Sequence, residues 1–192
     1  MNYPAGMKKT TTAPIQYSNR GMSLEHDLNA TNEYYRVTNR AIIYKKPTPV
    51  TIVKVDYKSR RDAVIKEGYF KTPSTTDYNG IYRGKYIDFE AKETRNKRFF
   101  PLSNIHVHQI DHLKKITEHG GIGFLIVRFS TLNLTYFLDS SKLLTFTNEH
   151  TRSSIPLTFF EEHGYRIYDK FNPRLDYLAI VDLIYFGGKS YE

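Results

Sequence analysis

The sequence has no cysteine. That excludes disulfide staples, zinc sites built on thiolates and cysteine nucleophiles. No apolar run approaches the roughly 18 residues that a membrane helix needs. The opening stretch, MNYPAGMKKTTTAPIQYSNRG, lacks the apolar core of a secretory signal, so the expectation is a cytoplasmic protein with no membrane partner. Internal repeats and low-complexity tracts are absent as well. Acidic residues are scarce, with 20 Asp+Glu against 28 Lys+Arg over 192 residues, a net charge of +8. The length fits one globular domain. At 40% apolar and 15% aromatic, the chain has enough to build a core, so wholesale disorder is not expected.

The positive excess is localised. Residues 1–71 carry 13 basic and 6 acidic groups, whereas residues 121–192 carry 7 and 8. Such an imbalance is the footprint expected for a polyanion partner. An anionic membrane surface fits less well, because no long basic amphipathic helix is present.

Residues 1–19 show no hydrophobic period and read as a flexible basic tail. A helix is expected from a Ser23 cap to about Asn39, with Leu24, Leu28, Thr31 and Tyr35 on one face. Ala41 to Tyr44 reads as a short strand. The segment 45–71 then carries 8 basic and 3 acidic residues, and Pro47 and Pro49 make it a poor central strand. It is expected to be a basic protrusion inserted into a domain spanning 20–192. Asn79-Gly80 gives a hairpin-turn signal. Beyond it, residues 86–92 alternate, with Ile87, Phe89 and Ala91 on one face and Asp88, Glu90 and Lys92 on the other. A helix is expected over 103–118, ended by Gly120-Gly121. The apolar run 123–129 reads as a central strand covered on both faces. A strand over 133–138, a short helix near 140–147 and a closing helix over 175–185 complete a mixed α/β fold with a central sheet.

Period two puts Glu90 and Lys92 side by side. Asp77, thirteen residues before Glu90, can lie on the neighbouring strand, and Thr75 shares its face. Two carboxylates and a lysine can thus converge at one end of a sheet. A hard cation such as Mg²⁺ needs oxygen ligands, and one or two carboxylates with waters suffice. Metal-assisted attack by water is an effective way to hydrolyse a phosphodiester, and a nearby ammonium can offset the developing charge. The spacing Asp-x₁₂-Glu-x-Lys resembles the signature of the PD-(D/E)XK nuclease superfamily, with Thr76 where that pattern has proline. The bland alternative is a charged edge strand with a Glu90–Lys92 ion pair.

Three longer stretches are more specific. Asn19 to Glu25, Ile87 to Thr94 and His106 to Leu113 resemble RecU-type Holliday junction resolvases, and the likeness runs from Asn19 onward. The resemblance implies a restriction-endonuclease-like mixed sheet flanked by helices, with the 45–71 segment as a stalk. It implies a homodimeric, Mg²⁺-dependent endonuclease (Mn²⁺ as a substitute) that cuts four-way DNA junctions by paired symmetric nicks during recombination and repair. It also implies a nucleoid setting and a contact with the recombinase RecA. By motif position, Thr75, Asp77, Glu90 and Gln109 match the metal-binding set and Lys92 the transition-state lysine. Two equal sites related by a two-fold axis suit a junction that must be cut symmetrically. Lys54, Lys58, Arg60, Arg61 and Lys66 of the stalk, with Lys8, Lys9 and Arg20, are expected to contact phosphates.

Other residues stay open on sequence. Asp88 reads as a solvated charge or as an acid supporting the site from behind. Glu25 could reach a metal through water or form a surface ion pair. His106, His108 and His112 cluster, but Gln109 stands where a zinc protease helix would carry glutamate, so zinc is not expected. The aromatic residues Phe99 and Phe100, and those of the C-terminal region, read as core or dimer interface. Two rival functions fit the charge: a DNA-binding protein that does not cut, and a nuclease for duplex or flap substrates.

Overall fold

The structure is a computed structural model that describes residues 23–57, 59, 61–71, 75–149 and 151–188. The tail expected over 1–19, and Lys8, Lys9, Arg20, Lys58 and Arg60 with it, lie outside the described residues. The elements in chain order are α1 (Leu24–Val37), β1 (Ile42–Lys45), β2 (Val50–Asp56), β3 (Val64–Phe70), β4 (Tyr78–Tyr82) and β5 (Lys85–Thr94). There follow β6 (Phe99–Pro101), α2 (Val107–Glu118), β7 (Ile122–Phe129), β8 (Leu134–Asp139) and α3 (Ser140–Glu149). The chain closes with β9 (Ser154–Pro156), α4 (Leu157–His163), β10 (Tyr165–Ile167) and α5 (Tyr177–Tyr185).

Six strands form a mixed central sheet in the order β1-β4-β5-β7-β8-β10. Only β5 and β7 run parallel, and α2 lies in the crossover between them. Alternation along β7 divides the interior into two cores. Phe124 and Ile126 join α1 and α5 on one face, where Leu28, Tyr35, Phe89 and Tyr177 are buried. Leu125, Val127 and Phe129 face α2, α3 and α4, with Leu113, Leu143 and Phe160. All eight residues of β7 are buried, as its unbroken apolar run requires.

The second core takes no buried residue from β1, β4 or β5. On that side β5 presents Asp88, Glu90 and Lys92 instead, so this part of the face is polar, with α2 beside it. The sequence pattern thus places the site: strict alternation in β5 puts charge where its parallel neighbour has Leu125 and Val127.

Most expected elements form, including the mixed sheet flanked by helices. Ser23 caps α1, its hydroxyl accepting the His26 N–H at 3.2 Å. Three expectations are corrected. Asn79-Gly80 is not the turn but lies inside β4, and the turn falls at Arg83-Gly84, both at positive φ (49° and 74°). Gly80 serves a close approach: a Cβ there would sit 2.0 Å from the Ile42 carbonyl oxygen on β1. The segment 103–118 is not one helix. A 3₁₀ turn at Leu102–Asn104 ends in extended Ile105, and α2 begins only at Val107. Thr75 and Asp77 both precede β4, so neither lies in the strand expected for them.

The basic segment folds as an antiparallel hairpin, β2 with β3, that pairs with no strand of the central sheet. Nearly every residue of it is exposed, including Val50, Ile52, Val53, Val55, Val64, Ile65, Tyr69 and Phe70. Isolated two-stranded hairpins are marginal in water. An arm this apolar and this cationic calls for something to lie against.

A buried ion cluster that the sequence did not reveal ties α1 to the sheet. Arg128 of β7 donates to Asp27 at 2.7 Å, and Arg174 reaches the same carboxylate at 3.0 Å. Removing Asp27 takes away the shortest ion pair of the almost fully buried Arg128, leaving it Asp169 at 3.4 Å and the Thr135 hydroxyl at 3.0 Å. Asp27→Ala is therefore expected to cost about 3 to 5 kcal/mol, read as a fall in the urea midpoint at unchanged m-value.

Candidate active site

The β4–β5 ladder pairs Tyr78 with Phe89, which sets the preceding residue, Asp77, opposite Glu90. The Asp77 backbone N–H donates to Glu90 Oε2 at 3.0 Å. Lys92 Nζ stands 2.6 Å from Glu90 Oε1. Beyond that ion pair no donor among the described residues reaches the buried Oε1, which keeps acceptor capacity. Glu90 is fully buried, whereas Asp77 and Lys92 are part-exposed. The structure therefore brings together the two carboxylates and the lysine singled out by spacing.

Burial pushes the Glu90 carboxyl up to about 7 from the ordinary 4.5, with Asp77 adding to the rise and Lys92 opposing it. A buried carboxylate raised partly by a second one is a place where a cation relieves repulsion. Hard oxygen donors with spare acceptor capacity fit Mg²⁺ or Mn²⁺, so the residues present suit the metal. Among the described residues no group of three or more His, Asp or Glu could hold a metal.

One pH effect follows. Below about pH 4.5 the Glu90 carboxyl is protonated in both folded and unfolded chains. Its stabilising contribution is whole there and is lost as pH rises through about 7, where the folded form ionises. In EDTA, the thermal midpoint is expected to decline across that window, and Glu90→Gln to flatten the decline. Divalent cation should reverse it above pH 7.

Gln109 is buried at the third position of α2, and its Oε1 accepts the His106 N–H at 3.0 Å. In this arrangement its oxygen helps to cap the helix. Thr75 is half-buried beside Asp77. Glu25 pairs with Lys45 at 2.5 Å, the surface ion pair being one of its two expected roles. Asp88 corrects the expectation of a solvated charge: it is fully buried and surrounded by donors. Lys46 lies at 2.8 Å, the Tyr86 hydroxyl at 2.9 Å and His112 Nε2 at 3.2 Å, and the Thr76 hydroxyl also donates to it. Lys46, Thr76, Tyr86 and His112 were not legible as site residues, because their only signal is proximity across four separate segments. On the stalk, Lys54 and Arg61 make no ion pair among the described residues, whereas Lys66 pairs with Asp56 at 2.8 Å. Phe100 is core, but Phe99 is left part-exposed.

A carboxylate pair with an adjacent lysine, set on a mixed sheet beside a cationic arm, is the equipment of metal-assisted phosphodiester hydrolysis. The chain belongs to the RecU family: the family model described as "Recombination protein U" matches residues 19–183. Its relatives include the Holliday junction resolvase RecU of Geobacillus kaustophilus, 54% identical, covering 97% of this chain and 98% of that one. The protein of the same name from Oceanobacillus iheyensis is 54% identical, covering 97% and 100%. Among solved structures, the Holliday junction resolvase Hjc of Archaeoglobus fulgidus is similar at a TM-score of 0.44 and 10% identity. That likeness covers 74% of this chain and 92% of that one.

Proposed function

We propose that the protein is a Mg²⁺-dependent endonuclease that resolves four-way DNA junctions by paired symmetric nicks, acting as a homodimer. The observation that carries the reading is the convergence of Asp77, Glu90 and Lys92 at one end of the sheet, on a chain of the RecU family. Its relatives' shared name supports the choice of junction over other DNA.

Asp77 and Glu90 would hold the metal, with Thr75 and Gln109 supporting it through neutral oxygens. Bound there, Mg²⁺ supplies Lewis acidity toward the phosphodiester and lowers the pKa of a coordinated water. Lys92 is ion-paired to Glu90 but part-exposed, so its ammonium is within reach of a substrate. From there it offsets the charge that builds on the phosphoryl oxygens. Glu90 must be ionised to serve, so its raised pKa makes metal binding compete with a proton and weaken as pH falls.

The stalk would read the open centre of the junction by shape and backbone charge. Its exposed cations Lys54 and Arg61, and Lys66 beside them, suit phosphate contacts. Lys58, Arg60, Lys8, Lys9 and Arg20 belong to the same basic set. Its exposed apolar residues suit packing against the stalk of a second copy, which also supplies the two-fold axis that paired nicking requires. No helix among the described residues is long and apolar enough to cross a membrane. With DNA as the substrate, the reading is of a protein that works beside the nucleoid in the cytoplasm.

The test is cleavage of a labelled four-way junction beside a linear duplex, in Mg²⁺ and in EDTA. Symmetric paired nicks in the junction alone, abolished by EDTA, are expected. Binding without cutting would leave a DNA-binding protein, and equal cutting of the duplex would make it a general nuclease.

A further inference from the structure

The stalk and the candidate site meet at one residue. Lys46 follows the end of β1 at Lys45 and begins the outgoing leg of the stalk. The returning leg re-enters the domain through Thr75, Thr76 and Asp77, just before β4. Asp77 therefore lies outside the strand ladder, and something else must fix it. Its carbonyl accepts the Lys46 N–H at 2.7 Å. The Lys46 ammonium lies 3.0 Å from the Thr76 hydroxyl and 2.8 Å from Asp88 Oδ2. The Thr76 hydroxyl in turn donates to Asp88 Oδ1. Thr76 and Asp88 are both buried, and Tyr86 and His112 complete the ring of groups around the Asp88 carboxylate.

We propose that Lys46, Thr76 and Asp88 form a clamp that positions Asp77 against Glu90 and joins the root of the stalk to the reacting centre. The inference rests on the reading of Asp77 and Glu90 as the metal-holding pair. A proline before the acid would stiffen the segment through its ring. Here Thr76 does so through its hydroxyl, which has no freedom to rotate away without leaving Asp88 and Lys46 short of a partner. Burying an aspartate at this spot is costly unless it is fully hydrogen-bonded. The four groups that meet it hold the strand, the helix and both stalk legs in one register. Lys46 and Thr76 are positioning residues, since neither touches the scissile group.

The test uses full-length Thr76→Val, Thr76→Ser and Lys46→Met, with Asp77→Asn alongside. Three quantities are read: single-turnover cleavage of a four-way junction at saturating protein, junction affinity, and Mn²⁺ affinity by calorimetry without DNA. Thr76→Val keeps the shape and removes only the hydroxyl. It is expected to slow cleavage and weaken Mn²⁺ binding by about 10- to 100-fold, with junction affinity unchanged. Thr76→Ser should restore both, and Lys46→Met should slow cleavage without loss of junction binding. Wild-type cleavage and Mn²⁺ affinity in Thr76→Val, with only its melting temperature lowered, would overturn the clamp. Wild-type cleavage by Asp77→Asn would instead overturn the underlying reading of the site.

Discussion

Asp77→Asn is expected to abolish junction cleavage and, at the same time, to raise the stability of the metal-free protein above pH 7. The two effects have one cause. The Asp77 carboxylate adds to the upward push on Glu90. Replacing it with a neutral amide removes that repulsion and leaves Glu90 easier to ionise in the fold. The same change removes half of the anionic donor set. Lys92→Ala should act in the opposite direction on Glu90, because it removes the cation that opposes the rise. Its cleavage is expected to fall by about 10²- to 10³-fold, the usual cost of losing one preorganised group that meets developing charge. What remains should show an acid limb moved to higher pH. Single-turnover rates and EDTA melts over pH 5 to 9, run on both variants, check the pair of signs. Loss of cleavage without the stability gain in Asp77→Asn would mean that the two carboxylates do not share one site.

The second large effect concerns the stalk. Neutralising Lys54, Lys58, Arg60 and Arg61 together is expected to leave the metal site intact while removing the preference for junctions over duplex. The reason is the separation of the two parts: β2 and β3 pair only with each other, and the site is built on β4 and β5. If each of the four cations neutralises one phosphate, the slope of log K against log salt should become shallower by about 3.6. Between 50 and 200 mM salt that is about 10²-fold less salt-driven loss of binding than in the wild type. Titration of junction and duplex at several salt concentrations provides the check. Retained junction preference with an unchanged slope would move recognition off the stalk.

Much of the site could be read along the chain because its chemistry is local. Glu90 and Lys92 sit two apart on an alternating strand, and the distance back to Asp77 is the length of one hairpin. That the turn falls at Arg83-Gly84 and not at Asn79-Gly80 did not disturb this, because the register still sets Asp77 against Glu90. The turn signal misled because glycine answers two needs, and at Gly80 the need was room for β1. Asp88 was misread for a related reason. Alternation tells which face a residue takes but not what covers that face. His112 from α2 and Lys46 from the stalk root close over it.

By itself the sequence determined the first helix from its Ser23 cap, the buried central strand, the alternating acidic strand, the basic insertion and the family. Each of these is written in periodicity, in local charge or in contiguous motifs. Only the tertiary structure decided that Asp27, Arg128 and Arg174 share one buried cluster, that Glu90 is dry enough for its carboxyl to titrate near neutrality, and that Lys46 and Thr76 hold Asp77. Those facts depend on groups between 12 and 147 positions apart meeting out of water. Desolvation and long-range pairing arise only when the layers close, so no local pattern carries them.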